Sequence, residues 1–268
     1  VLLFRIITAV ILIPVVVCAV LFLPAREAYG VTIVLVAWSA WEWSSVISLE
    51  QDWAKWLYVA VLLAIYTVIY WLPMILILGV AACFWMLALL YIMSYPDALL
   101  RSCDNKCARY IMGILSILPC WYSVNVLLNA DHGHILLMYF LVLVWTADIA
   151  AYFAGRQFGQ RKLAPDVSPN KSIEGVLGGV LACVVLALLA AWACHLSIEL
   201  SIGLISISIL TALVSVVGDL FMSVKKRIAG LKDMGNLLPG HGGLLDRVDS
   251  MMAAAPIFTL SMILVSFT

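Results

Sequence analysis

Apolar residues fill this chain in nine long runs, roughly 5–23, 31–48, 56–73, 76–95, 110–129, 135–154, 175–195, 200–218 and 252–268, with short polar segments between them. A helix rises 1.5 Å per residue, so about 20 such residues cross the hydrocarbon core of a bilayer. The pattern predicts an all-α integral membrane protein, a polytopic bundle of about nine transmembrane helices. The third run is short, and only the turn at Trp71-Leu72-Pro73 separates it from the fourth. The first run is long and lacks a small-residue cleavage site, so it reads as a retained span and not a signal peptide. The opening Val1 suggests that an initiator methionine precedes it.

Composition excludes a soluble alternative: of 268 residues, 65% are apolar and 11% charged, and too few polar side chains remain to cover so much apolar surface. The net charge is zero, but the charges are unevenly placed. With Arg5 on the cytoplasmic side, nine spans make the N-terminus and segments 49–55, 96–109, 155–174 and 219–251 the inner ones. Those segments hold fourteen of the fifteen Lys/Arg residues, Arg26 being the exception, while 130–134 and 196–199 carry none. This is the positive-inside asymmetry, and it predicts a cytoplasmic N-terminus. Trp38, Trp41, Trp43, Trp53, Trp56, Trp71, Trp121 and Tyr122 fall near span ends, as interfacial belts require.

The chain also divides by chemistry. Residues 1–95 are almost pure span and read as an N-terminal transmembrane scaffold of spans 1–4. Residues 96–268 (spans 5–9) contain three charged inner segments and read as the working region, with its site on the cytoplasmic face. Cys18, Cys83, Cys183 and Cys194 lie in apolar runs, where cysteine packs as a small hydrophobe. Cys103-x3-Cys107 has no second pair to complete a metal site. Asp131-His132-Gly133-His134 and His195 read as polar turn residues on the side without charged machinery. Glu42, within Ala40-Trp41-Glu42-Trp43-Ser44-Ser45, is costly at that depth; it is expected near the inner interface, bonded to Ser44, Ser45 or a neighbouring helix.

Asp148 and Tyr152 are four residues apart and share a helix face near the inner end of the sixth run. The following loop carries Ser168, Lys171 and Ser172 into a helix start, where backbone N–H groups and a lysine suit an anion. An ordinary positive-inside loop with one structural Asp–Tyr or Asp–Ser pair explains the same residues, and spacing alone does not choose.

The densest charge lies between Asp219 and Asp249, with four of the fifteen carboxylates, five of the fifteen Lys/Arg residues and one of the four histidines. Asp219, Ser223 and Lys226 follow one another at helical spacing, and Asp246 and Asp249 share a face. Carboxylates converging on one point repel unless a cation lies between them, and oxygen ligands of this kind suit Mg²⁺ beside substrate phosphates. Lys225, Lys226, Arg227, Lys232 and Arg247 would neutralise those phosphates. The turn Pro239-Gly240-His241-Gly242-Gly243 admits a ligand close to the backbone, and His241 there could bind phosphate or shuttle a proton.

Ser223-Val224-Lys225-Lys226-Arg227, Lys232-Asp233-Met234-Gly235 and Leu238-Pro239-Gly240-His241-Gly242-Gly243-Leu244-Leu245-Asp246-Arg247-Val248-Asp249 together resemble the signature of the phosphatidate cytidylyltransferases, bacterial type. The resemblance continues through Asp148–Gly179 and, more weakly, into the first spans. It implies transfer of a cytidylyl group from CTP to phosphatidic acid, giving CDP-diacylglycerol and pyrophosphate in phospholipid biosynthesis. By the same resemblance, Asp219, Asp246 and Asp249 hold a Mg²⁺-containing centre of one cation or two. Lys226 and His241 join these acids in catalysis. Ser223, Lys225, Arg227, Lys232, Asp233, Arg247, Lys171, Ser172, Asp148 and Tyr152 contact substrate. The implied partners are CTP, phosphatidic acid and the bilayer of the bacterial cytoplasmic (inner) membrane, with no nucleic acid; the apolar N-terminal spans permit a homodimer without demanding one. A CTP-using polyprenol kinase is the nearest alternative. A CDP-alcohol phosphotransferase would need an Asp-Gly-x2-Ala-Arg run that is absent, and a transporter would place its charges near the midplane.

Overall fold

The computed structural model describes residues 2–95, 105–235 and 242–265. Among them the chain forms α1 (Leu2–Phe22), α2 (Ala25–Val46), α3 (Asp52–Ile69), α4 (Met74–Met93), α5 (Lys106–Leu128), α6 (Gly133–Phe158), α7 (Ile173–Ala193), α8 (Ile198–Ile228) and α9 (Leu245–Leu264). Seven of these described helices, α3 to α9, are long and apolar enough to cross a membrane. In α1 only the shorter stretch Leu12–Phe22 counts as an apolar helix, below that length, and α2 carries Arg26, Glu27 and Glu42.

The fold departs from the sequence expectation in two ways that matter for the site. The segment between α6 and α7 is not a plain loop: Lys162–Ala164 (β1) and Ser168–Ser172 (β2) pair antiparallel, with Lys162 opposite Ser172 and Ala164 opposite Ser168. Its turn closes through Val167 N–H on Ala164 O at 3.2 Å, and Val167 is buried beneath it. The second departure is in the helices flanking the charged stretch. α8 does not stop at 218 but runs on to Ile228, and α9 starts at Leu245, seven residues before the apolar run that suggested it. Asp219, Ser223, Lys226, Asp246 and Asp249 therefore all stand on helix.

What ends α8 is a backbone motif and not its charge. Gly230 adopts φ +70°, Leu231 N–H reaches Lys226 O at 2.8 Å and Gly230 N–H reaches Arg227 O at 3.2 Å, the paired bonds of a Schellman stop that glycine tolerates.

α5 and α9 form the centre, most of each apolar stretch being buried, whereas α3, α4, α6, α7 and α8 bury a third or less of theirs. At one end of the bundle Asn125 Nδ2 on α5 donates to Thr32 Oγ1 on α2 and Tyr66 OH on α3, both at 2.7 Å; such interhelical bonds contribute about 0.6–2 kcal/mol in a membrane. At the other end Trp43 of α2 donates its indole N–H to Arg109 O of α5 at 2.9 Å and stacks on Phe221 of α8. Arg109 Nη1 closes the same corner on Val46 O at 3.0 Å. That corner backs the functional groups.

Candidate active site

Three helix ends and the hairpin meet here. Asp219 on α8 forms a 2.5 Å ion pair with Lys171 of β2, and Ser223, one turn on, donates to its other oxygen at 3.3 Å. The hairpin thus serves as an arm that delivers a lysine to an aspartate 48 positions away. Lys226, one turn beyond Ser223, pairs with Asp246 Oδ1 of α9 at 2.8 Å. Asp246 Oδ2 accepts two backbone N–H groups, Met234 at 2.7 Å and Gly243 at 3.0 Å. One carboxylate therefore pins α8, the chain after α8 and the start of α9 together.

Asp249 lies one turn further along α9, its Oδ1 accepting the Ser250 N–H at 2.9 Å. Ser250 donates its hydroxyl to Asp148 Oδ2 of α6 at 3.1 Å. Asp148, Asp219 and Asp249 interact electrostatically with one another; Lys171 offsets Asp148, and Lys226 offsets Asp249. The helices can approach this closely because residue 218 is glycine. A Cβ there would lie 2.5 Å from Asp249 O and 3.2 Å from Ser250 O.

Other expected residues fall around this cluster. Arg227, Lys232, Asp233 and Arg247, neighbours in sequence of the paired residues, are exposed. Tyr152 is 61% exposed and packs edge-on to Phe153, while the bond Asp148 accepts comes from Ser250. Ser172 caps α7, accepting the Gly175 N–H at 3.1 Å, and is buried. Ser172→Ala is therefore expected to lower stability by about 1 kcal/mol, as read by thermal unfolding. Lys225 points the other way from Lys226. It is 1% exposed, donates to Tyr91 OH at 3.0 Å and lies over the Tyr91 ring at 4.3 Å, so its charge faces an aromatic wall. Pro239, Gly240 and His241 lie outside the described residues.

Glu42, expected near the inner interface and bonded to Ser44, Ser45 or a neighbouring helix, takes the last of these, and the neighbour it bonds is the helix that carries Asp246 and Asp249. Its carboxylate accepts the backbone N–H groups of Leu244 and Leu245 at the start of α9 and the Trp38 indole N–H. Its partners come from its own helix and a neighbouring one; Ser44 bonds Trp41 O instead. An ionisable side chain inside an apolar run was the signal.

Donor chemistry sets what a metal could do here. The acids offer only oxygens, which suits Mg²⁺ and not a softer ion. Among the described residues no three His, Cys, Asp or Glu side chains form a ligand set by themselves. An ion would take its remaining ligands from substrate phosphate or water, as Mg²⁺ usually does.

Residues 3–265 match the pattern of the cytidylyltransferase family. The chain is 39% identical over 257 residues to a phosphatidate cytidylyltransferase of Pseudomonas aeruginosa, an alignment covering 95% of this chain and 94% of that protein. It is 42% identical over 187 residues to one of Haemophilus influenzae, covering 65% and 64%. With one of Bacillus subtilis it shares 40% over 138 residues, about half of each chain (51% and 51%). A match over nearly the whole length, including the helices that carry the acid and lysine pairs, establishes that this chain belongs to the cytidylyltransferase family.

Proposed function

We propose that the protein is a phosphatidate cytidylyltransferase, joining CTP to phosphatidic acid to give CDP-diacylglycerol and pyrophosphate. The observation that carries this reading is the paired acid–lysine geometry, Lys171–Asp219 and Lys226–Asp246, within a family whose relatives bear that name. A phosphate oxygen of the lipid attacks the α-phosphorus of CTP in line, forming the new P–O bond as the bond to the β-phosphate oxygen breaks. Little covalent help is needed; holding the reactants in line and neutralising charge carry most of the rate. Lys171 and Lys226, paired with acids before substrate arrives, would turn to the phosphates, with Lys232, Arg227 and Arg247 at the rim. Asp219, Asp246 and Asp249 do not converge as a ligand set by themselves; with Asp246 released from Lys226 they would hold Mg²⁺ together with substrate phosphate, and the ion when bound supplies charge neutralisation there.

In this reading all nine helices span the membrane. The N-terminus and the site face the cytoplasm at the inner membrane, where soluble CTP meets a membrane-held phosphate. The distribution of Lys and Arg supports that orientation. Residues 1–95 act as scaffold, with Glu42 as their contribution to the site. The exposed apolar faces of α3 and α4, including Leu57, Val61, Met86 and Leu90, meet lipid and are where a homodimer would form.

The test is purified protein with Mg²⁺, phosphatidic acid and labelled CTP. Label from the α-phosphate must enter lipid as pyrophosphate is released; transfer of only the γ-phosphate would instead make the enzyme a lipid kinase, and unconsumed CTP would refute both. In the same assay Lys226→Ala is expected to raise KM for CTP or phosphatidic acid by about tenfold, the loss of one charge-assisted contact. Unchanged kinetics for both substrates would remove Lys226 from the site.

A further inference from the structure

Three consecutive backbone N–H groups at the entry to α9 are divided between two carboxylates. Gly243 donates to Asp246 Oδ2 at 3.0 Å, while Leu244 and Leu245 donate to Glu42 Oε1 and Oε2, each at 2.8 Å. The first N–H groups of a helix have no intrahelical partner and carry the positive end of its dipole. Leu244, at the N-cap position, supplies no side-chain acceptor. Glu42 therefore caps α9 from another helix, across 202 residues of sequence. Its seat is closely shaped. Glu42 is 4% exposed, Trp38 Nε1 donates to Oε1 at 2.8 Å, and a Cβ at Gly235 or Gly243 would come within 2.7 Å of Oε1 or 2.5 Å of Oε2.

We propose that Glu42 is a positioning residue for cytidylyl transfer, an inference that rests on the activity proposed above. By gripping the first turn of α9 it sets the height and rotation at which Asp246 and Asp249 face Asp219 and Lys226 of α8. Without it, the Leu244 and Leu245 N–H groups need another acceptor. Asp246 already binds the adjacent Gly243 N–H, so it is the next carboxylate along this segment. Turning it toward them would loosen its ion pair with Lys226.

The experiment compares Glu42→Gln and Glu42→Asp with the unaltered chain in phospholipid–detergent micelles. It measures kcat, both KM values, thermal unfolding, and hydrogen–deuterium exchange over residues 244–249. Gln keeps the shape but has one acceptor oxygen where two are needed. The expected result is kcat lower by about 10- to 100-fold, the range for a slight misplacement of reacting groups, with KM for phosphatidic acid changed by less than about twofold. Exchange at 244 and 245 should be faster, and Glu42→Asp should restore part of kcat. Wild-type kcat in Glu42→Gln would overturn the proposal, as would unchanged exchange at 244 and 245 or a loss that merely follows the folded fraction. Exchange needs no turnover, so it tests the cap separately: a chain that makes no CDP-diacylglycerol sinks the activity reading, whereas unchanged exchange sinks the role of Glu42.

Discussion

Asp246→Asn is expected to lower turnover by about 10³-fold while the helical bundle stays assembled, a loss in the range for removing a charge-stabilising group from a transferase site. The carboxylate accepts Lys226 Nζ on one oxygen and the Met234 and Gly243 N–H groups on the other, and its side chain is only 5% exposed. Asparagine has the same outline, but one acceptor becomes an NH₂ group. That group must face either an ammonium or backbone N–H donors, and each unmade bond costs about 1–3 kcal/mol. The substitution also leaves Lys226 without its counter-charge. Stability should therefore fall by about 2–4 kcal/mol, yet circular dichroism should retain the helical signal, because packing elsewhere in α8 and α9 is untouched. Labelled-CTP turnover and thermal unfolding on one preparation measure both quantities. Turnover within threefold of the unaltered protein would exclude Asp246 from the chemistry.

Gly218→Ala should cost about 10- to 100-fold in kcat without removing any functional group. The added methyl would lie 2.5 Å from Asp249 O, 3.1 Å from Ala253 Cβ and 3.2 Å from Ser250 O. Backbone cannot swing aside as a long side chain can, so α8 and α9 must separate at the level of Asp219 and Asp249. Overpacking of this kind costs about 1–3 kcal/mol, and a shift near 1 Å at a reacting centre can cost about 100-fold in rate. Gly30→Ala is the control. It lies on α2 with nothing within 4 Å of its new Cβ, and alanine is the better helix former. Its activity should stay within about twofold. Equal activity in both variants would show that contact of α8 with α9 at residue 218 does not set the geometry.

Apolar run length made the helices legible before any coordinates, because a bilayer core demands about 20 consecutive apolar residues and the chain supplies them repeatedly. The sequence also showed where acids and bases gather: between two apolar runs, in a stretch whose bases fit the positive-inside asymmetry and whose carboxylates do not. Hydropathy misplaced the helix ends at 218 and 252 because charge interrupts an apolar run without interrupting a helix; the stop at Gly230 is a matter of backbone dihedrals and hydrogen bonds.

Pairing was decided only by the tertiary structure. Spacing rules relate residues within one helix, whereas Lys171–Asp219, Lys226–Asp246, Ser250–Asp148 and Glu42–Leu244/Leu245 join different elements. Such pairs depend on how far helices rotate and how closely they cross, which is set by contacts such as Gly218 against Asp249. Lys225 and Lys226 make the point in two adjacent letters. Successive residues on a helix point about 100° apart, so one lysine reaches Asp246 and the other is buried against Tyr91. The sequence determined that apolar runs of membrane length flank a dense stretch of acids and bases; helix packing determined which of those side chains meet.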